Sequence, residues 1–160
     1  MGTDYARRAG YDIIGKDGQK LSDKWSDGMK TFRGLQTHGF PNCFLINTQQ
    51  GGFSVNFPHL LDEISVHLAY IISHALGNNI KTIEASEQAE KEWVEGIIGS
   101  SGSARQTGGE GCTPGFYNNE GKPDSKSRYG AFYRGGSIKY WQLLAEWRED
   151  GKFEGLEFGA

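Results

Sequence analysis

The chain has 160 residues, the length of one domain, with a formal net charge of −3, a sequence pI near 5.8 and a hydrophobic share of only 36%. Its Lys and Arg residues are scattered rather than clustered, which leaves no electrostatic case for nucleic acid or an anionic membrane as partner. No apolar run approaches membrane-spanning length, and 24 glycines, about twice the average share, predict a chain rich in loops.

Residues 11–14 and 20–21 flank Lys16-Asp17-Gly18 and read as a small β-hairpin, with the Asp-Gly pair supplying the positive φ of the turn. Trp25 and residues 32–35 are expected to pack over the main element, residues 42–76. Residues 39–42, Gly-Phe-Pro-Asn, form a turn into the apolar run 43–47, which is short and bounded by turn signals and so reads as a buried strand. A polar, glycine-containing turn over 48–54 then leads into a helix over 56–76. Phe57, Leu60, Leu61, Ile64, Leu68, Ile71, Ile72 and Ala75 recur at steps of three or four, Asn56 is a good N-cap, and Pro58 sits in the first turn. This βα unit is the centre of the reading, because a glycine-containing turn at a helix N-terminus presents N–H groups and a positive dipole end to an electron-rich ligand.

Residues 80–84 are predicted extended, and Ser86 caps a second helix from Glu87 to about Ile98 with Trp93, Val94 and Ile97 on its apolar face. The Gly-, Ser- and Asn-rich stretch 99–126 is longer than an ordinary loop and is a functional candidate. A third helix is predicted over 137–150, capped by Ser137 and stopped by Gly151, with Tyr140, Trp141, Leu144 and Trp147 on one face. Residues 153–158 tuck back as an extended tail.

Several other patterns carry bland explanations. His59, Glu63 and His67 recur every four residues on one helix, yet this is no known helix-borne zinc spacing, and no metal is expected. The pairs Asp62 with Glu63 and Glu92 with Glu95 suit solvated helix faces, and Trp93, Trp141 and Trp147 suit core packing. Residues 108–111, Gly-Gly-Glu-Gly, lack the ending of a phosphate loop, and nothing places Ser54 or Cys112 beside a histidine. Cys43 and Cys112 show no paired spacing and read as reduced thiols. With no signal-peptide pattern at Met1-Gly2-Thr3-Asp4, the expected location is cytoplasmic.

The order and spacing of residues 39–42, the turn after 47, Asn56, residues 83–90 (Ile-Glu-Ala-Ser-Glu-Gln-Ala-Glu), Trp93-Val94, Gly121-Lys122-Pro123 and Gly135-Gly136 before Tyr140 resemble the C-terminal part of flavin-dependent Baeyer–Villiger monooxygenases. The likeness runs from about residue 11 to 158. It implies an α/β fold, here a partial FAD-domain βα unit over 1–78 and a helical C-terminal extension over 79–160. It also implies membership of an enzyme that uses FAD and NADPH to oxidise small-molecule ketones to esters or lactones. By position, Gln49, Gln50, Asn56 and Phe57 would lie beside the flavin, Phe53 and Ser54 would line the substrate, and Phe116, Tyr117 and Lys122 would belong to a loop that closes over NADP. Many members place a Trp in that loop where this chain has Gly115-Phe116-Tyr117, and the turn after the strand is one residue shorter here.

The chain has no strand-borne Gly-x-Gly-x-x-Gly, and the family's fingerprint and active-site arginine belong upstream. Met1 therefore reads as the start of a fragment, not catalytic alone and completed by missing N-terminal FAD and NADP domains. The alternative is a stand-alone, non-catalytic binding module or remnant.

Overall fold

A computed structural model describes residues 10–100, 113 and 129–160. The elements run α1 (Leu21–Lys24), α2 (Phe57–Gly77), β1 (Thr82–Ala85), α3 (Glu87–Ser100), α4 (Gly136–Asp150) and β2 (Leu156–Gly159). Among the described residues β1 and β2 form the one sheet, antiparallel, with Thr82 opposite Gly159 and Ala85 opposite Leu156. The architecture is therefore mixed helix with a two-stranded sheet, and the strand expected over 43–47 is absent. Phe44 makes a single bridge to Gln36, and Ile46 is 59% exposed. Apolar content alone cannot make a strand; it needs a neighbouring edge, and here Cys43 N–H turns back to Phe40 O and Leu45 N–H goes to Leu35 O.

The predicted hairpin shrinks in the same way to one bridge, Ile14 with Lys20, around a turn in which Asp17 and Gly18 take φ of 54° and 77°. Leu21 starts α1 instead of a second strand.

The helices follow their periodicity. Asn56 caps α2 by accepting the His59 N–H at 3.3 Å, and Ser86 Oγ accepts the Ala89 N–H at 3.2 Å at the start of α3. α3 runs on through Gly99 to Ser100. α4 starts one residue before the predicted cap, from Gly135 and with no side-chain cap bond, so Ser137 lies inside its first turn; Gly151 ends it at φ 66°. α2 packs against α4 through Leu60, Ile64, Leu68, Tyr140 and Leu144, joined by Leu35. Next to it Ile71, Ala75, Ile83, Trp147 and Phe153 bring the sheet onto the same helix pair. Leu21, Trp25, Met29 and Phe40 form a third cluster under the N-terminal residues.

Polar groups connect these clusters. Asn42, at φ 58°, donates its N–H to Ile83 O at 2.8 Å, accepts the Ile83 N–H on Oδ1 at 3.0 Å and donates Nδ2 to Lys81 O at 2.9 Å. One residue, through its backbone N–H and its side-chain amide, thus acts as a short third strand beside β1. Glu84 accepts the Gly39 N–H at 3.0 Å and pairs with Lys16. Burial would raise its carboxyl pKa, but Lys16 and the Gly39 N–H hold it below the usual range. No helix among the described residues is long and apolar enough to cross a membrane.

Candidate functional site

The turn between residue 47 and α2 is built on a buried floor. Asn47 Oδ1 accepts the Gln49 N–H at 2.7 Å and its Nδ2 donates to Gly34 O at 3.0 Å. Gln50 follows at φ 58°, a backbone region that non-glycine residues rarely take. It is held there by its own groups. Its N–H donates to Ala131 O at 2.8 Å and its carbonyl accepts Trp93 Nε1–H at 2.9 Å. The side-chain Oε1 accepts from Thr31 N (3.0 Å) and Thr31 Oγ1 (2.6 Å), while Nε2 donates to Met29 O (2.6 Å) and Tyr129 O (2.8 Å). Every polar atom of this buried residue is thus engaged inside the chain, so Gln50 positions the turn.

Gly52 is required by what lies against it, and Gly51 has little room to spare. A Cβ on Gly51 would sit 3.2 Å from the Tyr140 hydroxyl oxygen, and one on Gly52 would sit 2.6 Å from the ring carbon Cδ1. Tyr140 reaches this position from α4, where its hydroxyl donates to Arg33 O at 2.6 Å; burial raises the phenol pKa. The Tyr133 N–H donates to Gly51 O at 2.8 Å, so the segment before α4 closes the turn from its other side. The Gly-Gly pair is the sequence feature that could have signalled close approach by a large ring, but only the fold names Tyr140 as that ring.

From Phe53 onward the same turn opens to solvent. Phe53 is half exposed and stacks on Phe132, with ring centroids 4.6 Å apart and planes at 21°. Ser54 Oγ accepts the Asn56 N–H at 3.1 Å, Val55 is 96% exposed, and Phe57 is 52% exposed at the head of α2. In the first helical turn Pro58 has no N–H and the His59 N–H is taken by Asn56, which leaves the Phe57 N–H as an open donor at the positive end among the described residues. Thr48 Oγ1 is buried without a partner among the described residues. An open donor at a dipole end, an orphaned hydroxyl and two exposed aromatic rings are groups that would suit an electron-accepting aromatic ring bearing hydrogen-bond acceptors, such as a flavin.

Gln49, Gln50, Phe53, Ser54, Asn56 and Phe57, with Thr48 beside them, lie together by sequence proximity, and the fold adds Trp93, Phe132 and Tyr140 from elsewhere. Phe116, Tyr117, Lys122 and Cys112 lie outside the described residues. The other sequence candidates have their own surroundings. His59 sits edge-on to Trp141 at 4.4 Å, and His67 is buried against Trp147 at 5.0 Å. Burial, with Arg33 and Arg148 near, pushes the His67 pKa down to about 3. Among the described residues no group of three His, Cys, Asp or Glu could hold a metal. The Cys43 thiol is half-buried, and burial raises its pKa, opposite to what a nucleophile needs. Trp93 and Trp147 pack in aromatic clusters, Trp93 parallel to Tyr133 at 5.6 Å.

Sequence reasoning passed over Arg33. Its Nε and Nη1 are buried without partners among the described residues, its guanidinium lies over the rings of Phe32 and Trp147, and burial lowers its pKa to about 10. It borders an open cleft of about 570 Å³ shared with Trp93, Ser86, Glu92 and Glu154.

No protein-family profile matches the chain. Pentalenolactone D synthase from Streptomyces exfoliatus is 46% identical over 153 residues, which are 96% of this chain and 26% of that protein. The FAD-binding monooxygenase hmp7 of Hypomyces subiculosus and Baeyer-Villiger monooxygenase 4 of Dietzia sp. (strain D5) are each 37% identical, over 94% and 93% of this chain and 25% and 24% of their own lengths. Among solved structures, polycyclic ketone monooxygenase from Thermothelomyces thermophila superposes with a TM-score of 0.79 at 29% identity, over 98% of this chain and 25% of that one. Cyclohexanone monooxygenase from Rhodococcus sp. Phi1, bound to NADP+, does so with 0.77 at 25% identity, over 98% and 28%. The chain thus spans about a quarter of the length of the relatives it matches. In sequence over nearly its whole length, and in fold, the chain is similar to part of these FAD-binding and Baeyer–Villiger monooxygenases and fits a C-terminal fragment of them.

Proposed function

We propose that this chain supplies the C-terminal portion of an FAD- and NADPH-dependent Baeyer–Villiger monooxygenase, which inserts oxygen into a small-molecule ketone to give an ester or lactone. The observation that carries this reading is the turn over 48–57: a floor locked by Gln50 and Tyr140 under an open lip at the N-terminus of α2. In this reading residues 1–78 complete the FAD-binding portion and 79–160 form the extension, working in the cytoplasm with the rest of the enzyme.

Asn56 fixes the helix start, and the Phe57 N–H with the α2 dipole faces the flavin, favouring negative charge on its ring. By the resemblance Gln49 belongs to the turn beside the flavin, Gln50 holds its conformation, and Phe53 and Ser54 face the substrate. Bound flavin supplies the oxygen activation; the chain's residues orient the ring and exclude water from it. Phe116, Tyr117 and Lys122 belong in this reading to the loop over NADP, on the strength of the sequence resemblance.

An FAD titration of the purified chain, read by flavin fluorescence and melting temperature, is the first test. Saturable binding with a raised melting temperature supports a cofactor surface on this chain. In a complete enzyme, Asn56→Ala and the Gln49→Ala/Gln50→Ala pair are expected to weaken flavin binding or slow oxygenation; unchanged kinetics would dispose of the assignment.

A further inference from the structure

The cleft of about 570 Å³ beside Arg33 falls within the ~300–1,000 Å³ of ordinary small-molecule sites, and it contains none of the residues read as facing flavin or ketone. Its walls carry both signs of charge. The Arg33 guanidinium is held 4.8 Å from the centroid of the Phe32 ring and 5.2 Å from that of Trp147, and its Nε and Nη1 have no acceptor among the described residues. Glu92 and Glu154, both exposed, line the same cleft. The charge of Glu154 reaches Arg33, yet among the described residues neither side chain forms an ion pair. Glu92 accepts from Gln88 Nε2 at 2.6 Å and has no cationic partner there either. Between the charges stands the half-buried indole of Trp93, edge-on to Phe32 with centroids 6.4 Å apart.

We propose that this cleft binds a free α-amino acid with an apolar side chain, its carboxylate on Arg33, its ammonium group facing Glu92 and Glu154, and its side chain against Trp93. A guanidinium with buried, unpaired donors calls for a planar acceptor, and a carboxylate is the group whose two oxygens match its fork. An anion without a positive group would meet two glutamates, and a cation without a negative one would meet Arg33. A zwitterion answers both, and each charge it buries finds an opposite one. The site borders the turn without entering it: Trp93 donates Nε1–H to Gln50 O, and Arg33 O accepts the Tyr140 hydroxyl. The two residues that would touch such a ligand are thus also two that hold the floor of the turn.

The test is calorimetric titration of the purified chain with L-phenylalanine, with phenethylamine, which lacks the carboxylate, and with hydrocinnamate, which lacks the ammonium group. Phenylalanine is expected to saturate the site about tenfold or more tighter than either analogue, the usual worth of one hydrogen bond to a charged group. Glu92→Gln/Glu154→Gln changes two exposed side chains and should erase the preference over hydrocinnamate while keeping that over phenethylamine. Arg33→Leu should do the reverse; if that variant does not fold, the glutamate pair decides. Equal affinity for phenylalanine and either analogue, a preference that the glutamate variant leaves intact, or no saturation below about 10 mM would each overturn the proposal. A chain without a cooperative melt overturns it as well, because the cleft then does not exist in solution. The FAD titration scores the turn separately, since no residue of the cleft is assigned to flavin.

Discussion

At His67 the neutral imidazole is the form that the fold accepts, because burial and the charges of Arg33 and Arg148 oppose protonation and lower the pKa to about 3. In the unfolded chain the same group titrates near 6.5, so between these values the unfolded state binds more protons and stability falls as pH drops. Going from pH 7 to pH 5, the loss from this one residue is at most about 2 kcal/mol. Urea melts at the two pH values should show that loss in the wild type and a smaller one in His67→Phe, which keeps a ring against Trp147. Equal losses would place the acid sensitivity elsewhere. Gln50 makes a sharper case. Gln50→Ala would leave buried donors on Thr31 and carbonyls of Met29 and Tyr129 unpaired, a destabilisation of about 2–4 kcal/mol by denaturant titration. Nothing in the sequence distinguishes Gln50 from Gln49, since the partners come from residues far along the chain.

The turn and α4 are coupled through one close approach, Gly52 under the ring of Tyr140. Gly52→Ala places a methyl group 2.6 Å from Cδ1, and because the ring is buried and its hydroxyl is tied to Arg33, it cannot swing aside. The expected cost is about 1–3 kcal/mol, with a lower melting temperature, whereas Gly99→Ala, where the added carbon meets nothing, should leave stability unchanged or higher. The helices on either side of this contact were readable because periodicity and caps are local: Asn56, Ser86 and Gly151 all act where the sequence put them. Residues 43–47 were not readable. Their apolar run suits a strand or a half-buried connection equally, and the choice is made by which backbone groups lie alongside, Gln36 and Leu35 in this case. The extended segments around β1 and β2 were legible singly, but their pairing joins residues more than seventy positions apart, which no local pattern encodes.

Across the whole molecule, the candidate site was legible as a stretch, because a glycine turn before a capped helix has a local signature; its floor was not, because Trp93, Phe132 and Tyr140 arrive from α3 and the residues around the start of α4. The N-terminal residues are attached to α3 in a comparably non-local way. Glu90 is buried and accepts from Thr37 Oγ1 at 2.7 Å and His38 N at 2.9 Å, and it pairs with Lys24 Nζ at 2.8 Å. Glu90→Ala would leave the His38 N–H without this acceptor and the largely buried Lys24 ammonium without its counter-charge, with only the His38 carbonyl to accept from it, at a cost of about 3–5 kcal/mol, while Glu95→Ala on the exposed side of α3 should stay within about 0.5 kcal/mol. The two portions proposed at 1–78 and 79–160 are both in contact with this carboxylate network, so the loss should appear as one cooperative transition moved to lower denaturant when followed by tryptophan fluorescence and by far-ultraviolet dichroism. Two separated transitions in Glu90→Ala, with the helical signal surviving the first, would instead show that the N-terminal residues and α3 hold their folds independently.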